Sequence, residues 1–184
     1  MTSNNKATNN ARTKLRWTGH GLQLMAVTYS LWVLIQILMW WTDSERVIHN
    51  MGAYLQRDLS QLPSSSRMMA LGLDLTLWSV LVIAVIFCWR SLGEIMQEHA
   101  FTPTAIQRLN WGAWTGIACE LLSVLSRPIH TYWLTAHLPV SEQVSKWQFN
   151  AHDLLSLLLC GVILLTSYLL TWTQEIQAEN RSFI

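Results

Sequence analysis

Charge is what this sequence has least of. Only 12% of its 184 residues are charged, against about 25% in soluble domains. The shortage is concentrated in four long apolar runs, which excludes an ordinary soluble domain and points to an integral membrane protein. An excess of one sign is also missing. The formal net charge of +1 offers no basic stripe for phosphates, so direct nucleic-acid binding is not expected. Cysteine is sparse: Cys88, Cys119 and Cys160 each lie inside an apolar run, with no C-x-x-C. Neither a zinc site nor a disulfide framework follows, and the thiols read as small buried hydrophobes. G-x-S-x-G, H-E-x-x-H and phosphate-cradling glycine loops are absent, and Ser64-Ser65-Ser66 reads as linker. No catalytic residue is assigned and no enzymatic activity is expected. A cleavable leader is not expected either. The first apolar run exceeds the ~7–15 residues of such a leader and ends in Met39-Trp40-Trp41 without a following A-x-A.

What is present is apolar and rich in tryptophan, with 51% hydrophobic residues and eleven Trp. The pattern predicts an all-α, integral membrane four-helix transmembrane bundle. Residues 1–18 form a basic polar tail, expected to be disordered or frayed, with Lys6, Arg12, Lys14 and Arg16. Residues 19–184 form one transmembrane domain, with spans at about 21–41, 68–89, 109–127 and 153–173. Between spans one and two, Val47, Met51, Leu55 and Leu59 recur about every fourth residue, which predicts a short amphipathic helix on the membrane surface. Ser141 to Trp147 is read as a second short surface helix in the other outer connection. The helical pattern of span two continues through Arg90 to Glu98. Thr102 is placed to cap the next helix, with Pro103 at its first position, and Pro128 is expected to end that span.

Orientation rests on Lys and Arg near the span ends. One side carries Lys6, Arg12, Lys14, Arg16, Arg90, Arg108 and Arg181; the other carries Arg46, Arg57, Arg67, Arg127 and Lys146. The four basic residues before span one place both termini in the cytoplasm, in a bacterial inner membrane. Trp17, Trp89, Trp111 and Trp172 would mark one membrane interface, and Trp40, Trp41, Trp133 and Trp147 the other.

The third span, Arg108 to Arg127, is read as the hub. Gly112 and Gly116 make a G-x-x-x-G step, and Glu120 follows one turn later, the only charge between the two arginines. The step serves helix packing within the bundle or, as the alternative, a homodimer. Asp74 lies six residues inside the outer end of span two, Glu120 seven inside that of span three, and Gln36 five inside that of span one. All three then fall ~8–10 Å below the surface, with Ser156 and Cys160 bracketing that level on span four. Charge in hydrocarbon is costly, so such groups face inward and find partners. Gln36, Asp74 and Glu120 therefore form a candidate intramembrane polar layer, the two carboxyls sharing a proton. The alternative has the carboxyls pointing separately to an outer vestibule or pairing with Arg67 and Arg127. Six histidines are present, His20, His49, His99, His130, His137 and His152, none of them mid-span. A buried bis-His site is thus lacking, and no metal or cofactor is assigned.

Two stretches resemble a family of small bacterial membrane proteins catalogued as domain of unknown function 2975. In Leu92 to Trp114 the matching residues are Phe101, Thr102, Ile106, Arg108, Leu109 and Gly112. In Leu157 to Ile184 they are Gly161, Ile163, Leu164, Leu165, Glu175, Glu179 and Ile184. The chain departs from the family pattern at His99-Ala100, Gln107 and Asn110. The resemblance implies a four-helix inner-membrane protein without established enzymatic activity. It also implies a small cytoplasmic helix-turn-helix regulator as partner. A sensor or regulator of that kind is the expected function. A proton-coupled transporter or channel subunit using Asp74 and Glu120 is the alternative, and a haem- or quinone-binding redox anchor a third.

Overall fold

A computed structural model describes the backbone of residues 2–98 and 102–182, and the side chains of 13–14, 16–97 and 102–180. Phe101, His99, Ala100 and Ile184, and the side chains of Lys6, Arg12 and Arg181, lie outside these described residues. The described residues are all-helical, with no strand. There are five α-helices: α1 (Thr2–Thr42), α2 (Ser44–Leu55), α3 (Ser64–Glu98), α4 (Pro103–Thr135) and α5 (Ala151–Ser182). A single 3-10 turn covers Val140–Glu142.

Three segments are long and apolar enough to cross a membrane: Arg16–Thr42, Ser64–Gln97 and Ala151–Asn180. These are the marks of a membrane protein. The large apolar side chains of α1 and α5, such as Leu24, Leu31, Leu158 and Leu165, point away from the protein. In water that would be an aggregating surface, whereas in a bilayer it is the ordinary lipid-facing one. The stretch expected as a third of four spans lies within α4, which is 33 residues long but less apolar than the other three.

The four long helices run antiparallel to their neighbours in a row. On the α1–α3 seam Gln23 meets Trp89, and Trp41 meets Asp74. On the α3–α4 seam Ser91 meets Ala105, and Ala70 meets His130. On the α4–α5 seam a Cβ on Gly116 would touch Cys160, and Arg127 meets Asp153. α1 and α5 do not pack along their lengths, so the row is open where a closed four-helix bundle would have its fourth seam. The molecule therefore has two ends. The terminal face holds the start of α1, the α3–α4 turn and the finish of α5. The loop face holds α2 and the 136–150 connection.

Local chemistry accounts for most boundaries. Thr102 caps α4 by accepting the Ala105 N–H at 3.1 Å, with Pro103 at the first position. Asp43 caps α2 in the same manner through the Arg46 N–H. Gln56 ends α2 in the left-handed conformation at φ 55°. Asp58 then holds the following turn by accepting the Ser60 N–H at 2.9 Å, and these Ser60 hydrogen bonds keep its carboxyl below its ordinary pKa.

Four expectations are corrected. α1 is helical from Thr2, so the tail extends the first helix rather than fraying. The stripe Val47, Leu55 and Leu59 is buried in a protein core with Trp41, Ala70 and Leu134, so it faces protein rather than lipid. Residues 143–150 form no helix. There the Val144 and Lys146 N–H groups donate to Thr135 and Thr131 of α4, and these side-chain acceptors replace the helical ladder. Finally, α4 passes through Pro128 and ends at Thr135. A proline removes one i→i−4 bond, but the next two turns are anchored by His130, Thr131 and Thr135 contacts outside the helix.

Candidate functional site: polar junctions at the loop face

The loop face concentrates the polar chemistry into two junctions, one on each side of α4. The first joins α1, α3 and α4. The Trp41 indole Nε1–H donates to Asp74 Oδ2 at 2.7 Å. His130 Nε2 lies 3.3 Å from Asp74 Oδ1 and 3.2 Å from the Ala70 carbonyl oxygen. Both neighbours accept only, so Nε2 carries the proton and donates to them. The Trp41 and His130 rings are 6.0 Å apart, centroid to centroid. Trp41 is buried and is thus a tie between helices, not a member of a lipid-facing tryptophan belt.

The second junction joins α4 and α5. Arg127 grips Asp153 with both guanidinium arms, Nη1 to Oδ2 at 2.6 Å and Nη2 to Oδ1 at 2.5 Å. Nη1 also donates to the Gln148 carbonyl. Asp153 is only 1% exposed, and its Oδ2 accepts the Asn150 N–H at the start of α5. That is one half of a capping box, satisfying a helix-end donor that would otherwise be bare. Glu120 lies close enough to feel the charges of Asp153, His152 and Arg127.

The expected layer of Gln36, Asp74 and Glu120 is therefore divided. Asp74 serves the α3 side of α4, Glu120 serves the α5 side, and exposed Gln36 takes no hydrogen bond. Two physical reasons account for this. The depth of Glu120 was counted from Pro128, but α4 runs on to Thr135. Asp74 takes His130 as its partner on α4, ten residues beyond Glu120. The second reason is rotation. At roughly 100° per residue, Gly112, Cys119 and His130 fall within ~20° of one another and face α3, while Glu120 lies ~80° round.

The same rotation separates the two glycines. A Cβ on Gly112 would stand 2.7 Å from Cys88 Sγ and 3.4 Å from the Cys88 backbone nitrogen, on α3. A Cβ on Gly116 would stand 2.9 Å from Cys160 Sγ, on α5. Both glycines are occupied by this chain's own helices, which leaves that stripe no room for a second copy. Cys119 Sγ, 3.6 Å from the Leu77 carbonyl, completes a set of three thiols at the α3–α4–α5 seams.

The second connection straps the loop face. Tyr54 donates to Gln148, Lys146 Nζ donates to the Tyr54 carbonyl at 3.0 Å, and Arg57 Nε donates to the Glu142 carbonyl at 3.2 Å. Lys146 also sits 4.6 Å over the Tyr54 ring.

Sequence reasoning missed His130 as the partner of Asp74, and Asp153 altogether. Antiparallel pairing of α3 and α4 through a short turn would have found the first. The Asn150-x-x-Asp153 spacing would have found the second. Chemically the junctions hold helices together. No Ser, Thr or Cys side chain hydrogen-bonds to His130 among the described residues. Nor do three or more His, Cys, Asp or Glu gather into a metal-holding group among those residues. Of the polar residues on α1, Gln23 bonds to His20 and the Trp89 carbonyl, Ser30 bonds back to Ala26, and Thr28 is exposed, so they form no file across the span. Compared with protein-family models, curated proteins and solved structures, the chain matches none.

Proposed function

We propose that the chain is a four-crossing protein of a bacterial inner membrane with both termini in the cytoplasm. It acts without enzymatic chemistry, as a membrane sensor or regulator that works by protein contact. Helix direction supports the fourth crossing. α3 and α5 both run antiparallel to α4, so the chain returns along α4 between them. The terminal face is the more basic, with seven Lys and Arg against five at the loop face, in keeping with a cytoplasmic position.

The observation that carries the regulatory reading is the continuation of helix beyond the apolar segments at the terminal face. α1 begins at Thr2, and the sequence before Trp17 is mostly polar, so about 15 residues or ~22 Å of helix precede the apolar run. That stretch includes Lys6, Arg12, Lys14 and Arg16 in sequence and is the surface proposed to meet a soluble partner. The resemblance carried by Leu92–Trp114 and Leu157–Ile184 favours a small helix-turn-helix regulator as the partner. Cross-linking in cells followed by co-purification tests this. A soluble regulator should be recovered with the full chain and lost when residues 2–14 are removed. Recovery of no soluble protein would contradict the regulatory reading. The transporter reading gains no support from Asp74, whose carboxyl is held by Trp41 and His130 and not by Glu120.

A further inference from the structure

Three cavities meet at one side chain on the terminal half of the α1–α3 seam. The largest, about 750 Å³, lies between Arg16, His20 and Gln23 of α1 and Trp89 and Gln97 of α3. A second, about 360 Å³, runs deeper along the seam and is lined by Val27, Leu31, Val82 and Ile86. Its upper end is closed by Trp89 and Arg90. The third, about 280 Å³, continues across α3 to Arg90, Gly93 and Arg108. Trp89 forms a wall of all three.

The arrangement has the chemistry of an amphiphile in one leaflet. The deep cavity is apolar and lies within the segments that cross the membrane. The two shallow cavities carry the basic side chains, Arg16 in one and Arg90 and Arg108 in the other. Of the charges there, Arg108 is engaged by Glu94 in an ion pair. Arg90 is exposed and takes no hydrogen bond or ion pair among the described residues. A lone guanidinium at the mouth of an apolar trough, beside an indole, matches a phosphate on top of an acyl chain. The Arg90 charge, without a partner among the described residues, favours a headgroup with net negative charge over a zwitterionic one.

We infer that the α1–α3 seam binds one anionic phospholipid. An acyl chain lies against Val27, Leu31, Val82 and Ile86, and the phosphate sits at Arg90 and Arg16. This rests on the membrane reading alone and not on any protein partner. Gly93 supplies an independent handle, because it borders both polar cavities and a Cβ there meets nothing nearer than Gln23 Nε2 at 3.9 Å. A larger side chain at residue 93 would fill the headgroup space without disturbing the helix contact.

The full chain, extracted in mild detergent, is examined by native mass spectrometry after exchange into phosphatidylglycerol, phosphatidylethanolamine or phosphatidylcholine. One phosphatidylglycerol per chain should be retained in preference to the other two. Arg90→Gln should weaken retention about five-fold, the factor expected for one cation beside an anionic headgroup. Gly93→Leu should abolish it, while Arg67→Gln, at the loop face, should leave it unchanged. Equal retention of all three lipids, or no loss in Arg90→Gln and Gly93→Leu, would overturn the inference. Displacement by soluble glycerol phosphate at concentrations that leave lipid chains bound elsewhere would overturn it in favour of a bare phosphate site. A chain that stays soluble without detergent would instead overturn the membrane reading, a distinct result.

Discussion

The two ends of this molecule are built on different principles. At the loop face, Trp41, Val47, Leu55, Leu59 and Leu134 form a core, and Asp74, Arg127, Asp153 and Thr135 near it are held in hydrogen bonds. At the terminal face cavities open between α1 and α3, and Arg90 takes no hydrogen bond or ion pair among the described residues. A membrane protein has little hydrophobic drive to bring helices together inside lipid. It can gain that drive outside the hydrocarbon, where water is present, and α2 does so. The loop face ties the helices together, and the binding surfaces proposed above lie at the terminal face.

The difference can be challenged by substitution. The largest effect belongs to the buried ion pair. Arg127→Gln strands Asp153 and should lower stability by about 3–5 kcal/mol, read as unfolding in detergent micelles. The double change Arg127→Gln with Asp153→Asn should recover part of that loss. Gly112→Ala should cost about 1–3 kcal/mol by overpacking against Cys88, and Gly116→Ala less, because it meets only the Cys160 sulfur. Trp41→Phe deletes the donor to Asp74 and should cost about 1–2 kcal/mol, with the Asp74 end of α3 gaining hydrogen exchange. Arg90→Gln, at the other end, should shift stability by no more than about 0.5 kcal/mol. Comparable losses at both ends would erase the contrast.

Much of the helical layout was legible from residue patterns alone, because apolar length and caps are local signals. Thr102-Pro103 marked the start of α4, and the extension of α3 to Glu98 followed from periodicity. The polar sites were not legible, because they depend on register and rotation between helices. Treating Pro128 as a stop left His130, the partner of Asp74, outside the helix that carries Glu120. The α2 stripe showed that one face must be covered, but a stripe does not say whether lipid or protein covers it. Trp41 shows the same ambiguity: an indole near a span end can anchor in headgroups or, as here, donate to a partly buried carboxylate.

Single-cysteine labelling in intact cells tests the architecture most directly, using a membrane-impermeant maleimide on Lys14→Cys, Ser141→Cys and Gln177→Cys. Four antiparallel crossings require Ser141→Cys to react from outside, and Lys14→Cys and Gln177→Cys to react only after permeabilisation. Reaction of Gln177→Cys from outside together with Ser141→Cys would mean that the last helix does not carry the chain back, and would contradict the four-crossing row.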